Sequence, residues 1–286
     1  MRLLAVPNWS FGRNRALLNR FRAILESAWV TTHFCESDVD HNRTVTAFSG
    51  EGEQVYEALL RLCDAAFDTI DLNAHVGVHP RIGALDVCPF VLLEGEQLEA
   101  LALAEYAASK IASTYDVPVF LYEKSERGRH EADLPSLRKG GVGGLASREL
   151  QADFGPPHAH PRLGVVILGV RGFLIATNVN LAAADPAFAK ALSGKARKLR
   201  AEGDERFLGV RSMGVALASK SQSQLSLNLT LPDLTPVDPI IEWAIQEAER
   251  AQIRVSDTEL IGVIRDKDVP TATRLKIKPE QIVRVA

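Results

Sequence analysis

The chain has 286 residues, 46 % of them hydrophobic and 24 % charged, and its 33 basic and 36 acidic side chains leave a formal net charge of −3. That length has room for two domains or subdomains and a sizeable core, and the charge balance does not fit a dedicated nucleic-acid binder. Three scattered cysteines, Cys35, Cys63 and Cys88, argue against a disulfide framework and fit a reduced, cytoplasmic setting; the apolar run in MRLLAVPNWS is too short for a secretory leader, and no stretch is long and apolar enough to span a membrane.

The first half opens with a short strand, Leu3 to Val6, closed by Pro7-Asn8. Ser10 can cap the following helix, Gly12 to Ser27, whose apolar face carries Leu17, Leu18, Phe21 and Ile24. Strands are predicted at 30–35 and 44–49, separated by a polar turn, and a helix at 51–67 with Val55, Leu59, Leu62 and Ala66 on one side. Next comes the segment that concentrates chemistry, DLNAHVGVHPRIGALDVCPF at 71–90. His75 and His79 have helical spacing, but Gly77 between them and Pro80 after them make this a loop. It feeds a strand at 84–92, followed by an Ala- and Leu-rich helix at 96–115 and a strand at 117–122. From Glu123 to Arg148 Lys, Arg, Glu and Gly dominate, with GGVGG at 140–144; without a P-loop's lysine and preceding strand, this reads as a mobile surface loop or lid. A second stiff loop, DFGPPHAHPRLG at 153–164, offers His158, His160 and Arg162.

In the second half, strands are predicted at 173–181, 207–218, 224–230 and 258–264. A helix begins at Asp185-Pro186 and runs to Ala201, and another covers 235–251 with Ile240, Ile241, Trp243 and Ala244 inward. This β-α-β-β-α-β order is the split-βαβ arrangement, and the first half starts the same way with extra elements. The fold class is therefore α+β, two ferredoxin-like subdomains at 1–172 and 173–286 with a cleft between them as the natural ligand site. Residues after Asp266 read as a short appendage.

His79 is the leading candidate for chemistry, because an imidazole near its ordinary pKa can take and return a proton. The plainer alternative is a loop histidine that bonds only backbone. His75, Arg81 and Asp86 beside it favour the catalytic reading, since an arginine offers a planar charged fork to a carboxylate. Asp86 can orient an imidazole or bond loop backbone. A metal site built from His75, His79 and Asp86 is the sharp rival by ligand type, though not in the helical H-E-x-x-H form. Cys88 lies within an apolar strand and reads as a small hydrophobe. Asn8, Ser10 and Arg13, and His41, Asn42 and Arg43, follow predicted strand ends and can face the cleft; turn formation and helix capping explain the first set equally well.

These residues resemble the glutamate formimidoyltransferases, the formiminotransferase domain also found fused to a cyclodeaminase. The strongest match is HVGVHPRIGALDVCPF at 75–90. VPNWSFGR at 6–13, HNRTVTAFSG at 41–50, DFGPPHAHPRLG at 153–164, FLIATNVNL at 173–181 and SQLSLNL at 223–229 follow in the family's order. The resemblance covers nearly the whole chain, which ends where a cyclodeaminase domain would begin. It implies two α/β subdomains with a cleft, usually as a homodimer, and transfer of a formimino group from N-formimino-L-glutamate to N5 of tetrahydrofolate. It implies a catalytic role for His79, no resident metal, and no nucleic-acid or membrane partner. The family's folate-binding loop corresponds to Gly155, Pro156, Pro157, His158, Ala159, His160, Pro161, Arg162, Leu163 and Gly164. Arg81, Arg43 or Arg162 can hold the carboxylates of either substrate. Phe11 stands where the family usually has glutamate, and Val78 where a polar residue, often glutamate, precedes the histidine. These two departures motivate a second reading, a folate- or anion-binding homologue with altered catalysis; a metal-dependent hydrolase is the third.

Overall fold

The computed structural model describes residues 1–146 and 151–285; residues 147–150, at the end of the polar segment read above as a mobile loop, lie outside the described residues. The chain divides into two compact units, Met1–Arg171 and Gly172–Val285. Both mix helices with largely antiparallel sheet, so the α+β class holds.

The first unit runs β1 (Arg2–Ala5), β2 (Asn8–Trp9), α1 (Arg15–Glu26), β3 (Thr31–Asp38), β4 (Arg43–Glu51), α2 (Gly52–Thr69), β5 (Leu85–Glu94), α3 (Gln97–Tyr115), β6 (Val119–Leu121), α4 (Leu134–Leu137), α5 (Gly141–Ala146) and β7 (Val166–Val170). β1 and β2 act as one strand broken at Val6-Pro7, since both pair antiparallel with β4 on one side and β5 on the other. β3 flanks β4, and β7 and then β6 extend the sheet in parallel beyond β5. The apolar faces of the three long helices share one core with Trp9, Phe48, Leu85 and Cys88 of the strands. Phe21 of α1 sits edge-on to Trp9 and Phe11, with ring centroids 4.9 and 5.0 Å away. Each such aromatic pair adds about 0.5–1.5 kcal/mol beyond its buried area. Leu85 and Cys88 belong to this core, whereas Val87 joins a second cluster with Ile82, Phe120, Tyr122 and Leu137.

The strict alternation of β5 is broken at Asp86. Asn8 of β2 faces Val87 and Trp9 faces Leu85, so Asp86 is the extra residue of a β-bulge. A bulge re-aims a side chain; here the Asp86 carboxylate turns back to accept from the Ile82 amide at 2.7 Å.

The second unit contains β8 (Ile175–Leu181), α6 (Ala187–Ala201), β9 (Val210–Leu217), β10 (Gln222–Leu229), α7 (Val237–Arg250), β11 (Val255–Ile261) and a two-stranded parallel pair, β12 (Ile264–Arg265) with β13 (Ile282–Val283). Its antiparallel sheet has the order β11-β8-β10-β9. Leu225 and Leu227 are fully buried. The alternate positions carry a polar net in which Gln224 donates to Asn180, and Asn180 to Glu259.

Several expectations need correction. Asn14, not Ser10, caps α1, accepting from the Leu17 amide at 3.0 Å. Ser10 instead donates to the Gly83 carbonyl at 2.6 Å. Pro186 occupies the cap position of α6, one residue earlier than the helical position expected for it. β7 was hidden in VVILGV, a continuous apolar run of the kind a fully buried parallel strand produces. The segment expected to be a mobile loop contains α4 and α5, because Asp133 caps a short helix through the Ser136 amide and Pro135 sits in its first turn. The residues after Asp266 are packed rather than appended: Arg265 grips Asp268 through two bonds, and Gln281 donates to the Leu260 and Gly262 carbonyls.

Candidate active site

Two loops that glycine and proline keep out of regular structure are laced together to hold His79. The Leu72 amide donates to the Arg162 carbonyl, and the Asn73 side chain to that of Pro161. Gly83 and Gly164 form an antiparallel bridge, flanked by bonds from Ala84 to Leu163 and from Val165 to Ile82. Neither glycine has room for a side chain. A Cβ on Gly83 would lie 1.8 Å from the Val165 carbonyl oxygen, and one on Gly164 2.1 Å from that of Ile82, with φ of Gly164 at +71°. The other edge of the His79 loop is tied to the β3–β4 turn. Asn42 accepts from the Gly12 amide at 2.7 Å and donates to the Val76 carbonyl at 3.0 Å. His75 donates through Nε2 to the Asn42 carbonyl at 2.7 Å.

Asn8, Ser10, Asn42, Arg43, His79, Arg81 and Asp86 come together around one crevice of about 180 Å³, with Trp9 and His41 completing its wall. Arg43 Nη1 lies 3.5 Å from Nδ1 and 3.4 Å from Nε2 of His79; distances so even place the guanidinium beside the ring without a directed bond to either nitrogen. The His41 ring centroid is 5.8 Å from that of His79. Burial, and then the charges of Arg43 and Arg138, hold the His79 pKa well below its ordinary value of 6.5. The imidazole is therefore neutral at pH 7 and free to accept a proton. Burial also lowers Arg43 to about 10, still a cation at neutral pH.

Other candidates serve the scaffold. Arg81 donates to the carbonyls of His75, Gly77 and His79, fastening the loop from inside. Arg13 bonds the Val39 carbonyl, and Asn8 that of Val6. In the 155–164 loop, His160 Nδ1 accepts from the Arg162 and Leu163 amides, Ala159 packs on the second cluster, and Gly155, Pro157, His158 and Pro161 are exposed while Pro156 is half-buried. Among the described residues no three His, Cys, Asp or Glu side chains are grouped to hold a metal ion. Cys88 is buried, with its thiol pKa pushed up by burial, as expected of a packing residue.

Arg162 spans to the end of α2, donating to the Phe67 carbonyl at 2.6 Å and to that of Ile70 at 2.9 Å. A cation there satisfies helix-end carbonyls and complements the helix dipole. Arg162→Ala is expected to cost about 1–3 kcal/mol in chemical denaturation, with substrate KM values unchanged. Unaltered stability with weakened folate binding would instead make Arg162 a ligand contact.

Sequence reasoning missed Arg138, which ion-pairs with Asp86. Its sequence context is polar and glycine-rich, and only the Asp133-Leu134-Pro135 helix start signals that the segment has a fixed place.

Residues 2–171 match the family model described as formiminotransferase domain, N-terminal subdomain, and residues 176–285 match that of the formiminotransferase domain. The glutamate formimidoyltransferase of Streptococcus pyogenes serotype M1 is 31 % identical over 90 % of this chain and 87 % of its own length. That of Thermoplasma acidophilum is 32 % identical over 92 % of this chain and 88 % of its own. The formimidoyltransferase-cyclodeaminase of Sus scrofa is 32 % identical over 97 % of this chain, which spans only 52 % of that protein.

Proposed function

The chain belongs to the formiminotransferase domain family, and on that premise we propose that it moves a formimino group from N-formimino-L-glutamate to tetrahydrofolate, giving 5-formiminotetrahydrofolate and glutamate. The observation that carries this reading is the His79 imidazole on the wall of a crevice lined by polar side chains, with the Arg43 guanidinium 3.4 Å from its ring. As N5 of the folate attacks the amidine carbon, its proton passes to His79. The C–N bond to glutamate then breaks, and the imidazolium returns the proton to the departing glutamate nitrogen. The neighbouring guanidinium groups disfavour the imidazolium, making it a strong acid for the second step. Turnover of formiminoglutamate and tetrahydrofolate by the purified protein, with spectroscopic detection of the formimino-folate, tests the reading; a protein that turns over neither this donor nor a formyl analogue contradicts it.

The order β11-β8-β10-β9, and its counterpart β3-β4-β1-β5 in the first unit, support reading each unit as a ferredoxin-like subdomain. The 155–164 loop is read as the folate-binding loop from its resemblance to the family's, and its lacing to the base of the His79 loop is consistent with that role. The family's usual homodimer and a cytoplasmic location belong to the same reading; among the described residues no helix is long and apolar enough to cross a membrane.

A second reading, a folate- or anion-binding homologue without transfer, is motivated by Phe11 and Val78. Phe11 lies in the helix-side core, 5 % exposed, and Val78 is 43 % exposed. Neither is part of the crevice wall. Folate binding without turnover of any formimino or formyl donor would favour this alternative.

The low His79 pKa predicts the pH profile. The acid limb of kcat/KM should have an apparent pKa below 6.5, because the active form is the unprotonated one. It should move upward in Arg43→Gln, which removes the largest of the three guanidinium contributions. An acid limb centred above 6.5 would contradict the assignment. The sign for stability is the same. Below pH 6.5 the unfolded chain protonates this histidine before the folded one does, so its contribution declines as pH falls from 6.5 towards the folded pKa.

A further inference from the structure

Three guanidinium groups, Arg43, Arg81 and Arg138, act on the His79 ring, and the one carboxylate on the crevice wall is Asp86. Arg81 is consumed by its own loop carbonyls, and Arg43 is spread against the His79 ring. Arg138 differs. It is the C-cap residue of α4, and that helix is anchored by Leu134 and Leu137 packing against Phe120 and Tyr122. Its Nη2 donates to Asp86, which is 2 % exposed and fixed by the Ile82 amide. The Nε of Arg138 is buried without a hydrogen-bond partner, as are those of Arg43 and Arg81. A buried donor left unmatched is costly, and three of them beside an excess of fixed positive charge call for an anion with several acceptor sites. A carboxylate is such an anion, and the guanidinium fork matches it in geometry.

We propose that Arg138 is a specificity-determining residue that binds a carboxylate of the glutamate-like donor through its unpartnered Nε, while Asp86 holds its Nη2 and sets its direction. This rests on the reading of the donor given above. A folate tail also carries carboxylates, but a benzoyl ring separates them from N5. The α-carboxylate of the donor lies two bonds from the nitrogen that leaves, so a carboxylate bound beside Asp86, which shares the crevice wall with His79, belongs to the donor.

Steady-state kinetics of the full-length Arg138→Gln and Arg138→Lys variants test it. Arg138→Gln should raise KM for formiminoglutamate by at least tenfold and leave KM for tetrahydrofolate within twofold, and Arg138→Lys should recover part of the loss. An unchanged donor KM overturns the proposal, and so does a rise confined to the folate KM, which would give the carboxylate to the folate tail. Should Arg138→Gln fail to fold, arginine modification of the wild-type protein by phenylglyoxal decides. Glutamate, and not tetrahydrofolate, should protect Arg138 in the peptide map; absence of that protection overturns the proposal. Wild-type protein without turnover removes the enzymatic reading, while glutamate protection of Arg138 still reports on the anion site alone.

Discussion

His79→Ala is expected to lower kcat by about 10²–10⁴-fold, the usual range for loss of a general acid–base group, while the protein melts within a few degrees of wild type. The two halves of this expectation have separate causes. The ring belongs to neither apolar core and its contact with Arg43 is not a directed bond, so its removal leaves no unsatisfied partner. The loop's position depends instead on Arg81, Asn42 and the backbone bridge to Gly164, all of which the substitution spares. One imidazole handling both proton transfers makes the chemical step depend on it twice. Turnover at wild-type rate would remove His79 from the mechanism, and a collapse of stability would show that it is a structural residue. His79→Gln, which keeps polarity but cannot shuttle a proton, should be as inactive as His79→Ala.

Gly164→Ala is expected to give the largest loss of stability, about 2–6 kcal/mol. Two causes add. A side chain at φ +71° strains the backbone by about 1–3 kcal/mol, and the contact at 2.1 Å with the Ile82 carbonyl oxygen forces the two loops apart at a further cost of about 1–3 kcal/mol. For a unit of this size that corresponds to a fall of roughly 4–24 °C in melting temperature. Activity should drop further than stability explains, because the displaced bridge carries the base of the His79 loop, and a shift of about 1 Å can cost roughly 10²-fold. Thermal melting with kinetics at a temperature where the variant is folded separates the two. A variant that melts like wild type would mean that the two loops are not laced as described.

Much of this was legible in the chain, for identifiable reasons. Helices such as α2 and α7 announce themselves by an apolar face, and GVHPRIG announces a loop because Gly77 and Pro80 forbid a helix. His79, Arg43 and Asp86 were singled out because residue type and loop context point to chemistry, and the structure brings the three to one crevice wall. What stayed hidden depends on contacts distant in sequence. The run 165–170 reads as apolar filler until β5 and β6 close around it. The bulge that turns Asp86 is set by the register against β2, which no local pattern encodes. Arg138 is 52 residues from Asp86 in sequence, so nothing near it marks it as part of the site. Arg81 and Arg162 were read as candidates to hold substrate carboxylates and instead hold backbone carbonyls, because a one-dimensional pattern does not distinguish an arginine that holds backbone carbonyls from one that waits for a carboxylate.

The central claim is that the His79 imidazole stands at the atom that changes bonding. A crystal structure of the protein with a bound reduced folate tests it most directly. The pterin N5 is expected within about 3–3.5 Å of a His79 ring nitrogen, or one water removed. A folate ordered in another part of the molecule, with the His79 ring still closed against Arg43 and out of reach of the pterin, would contradict it.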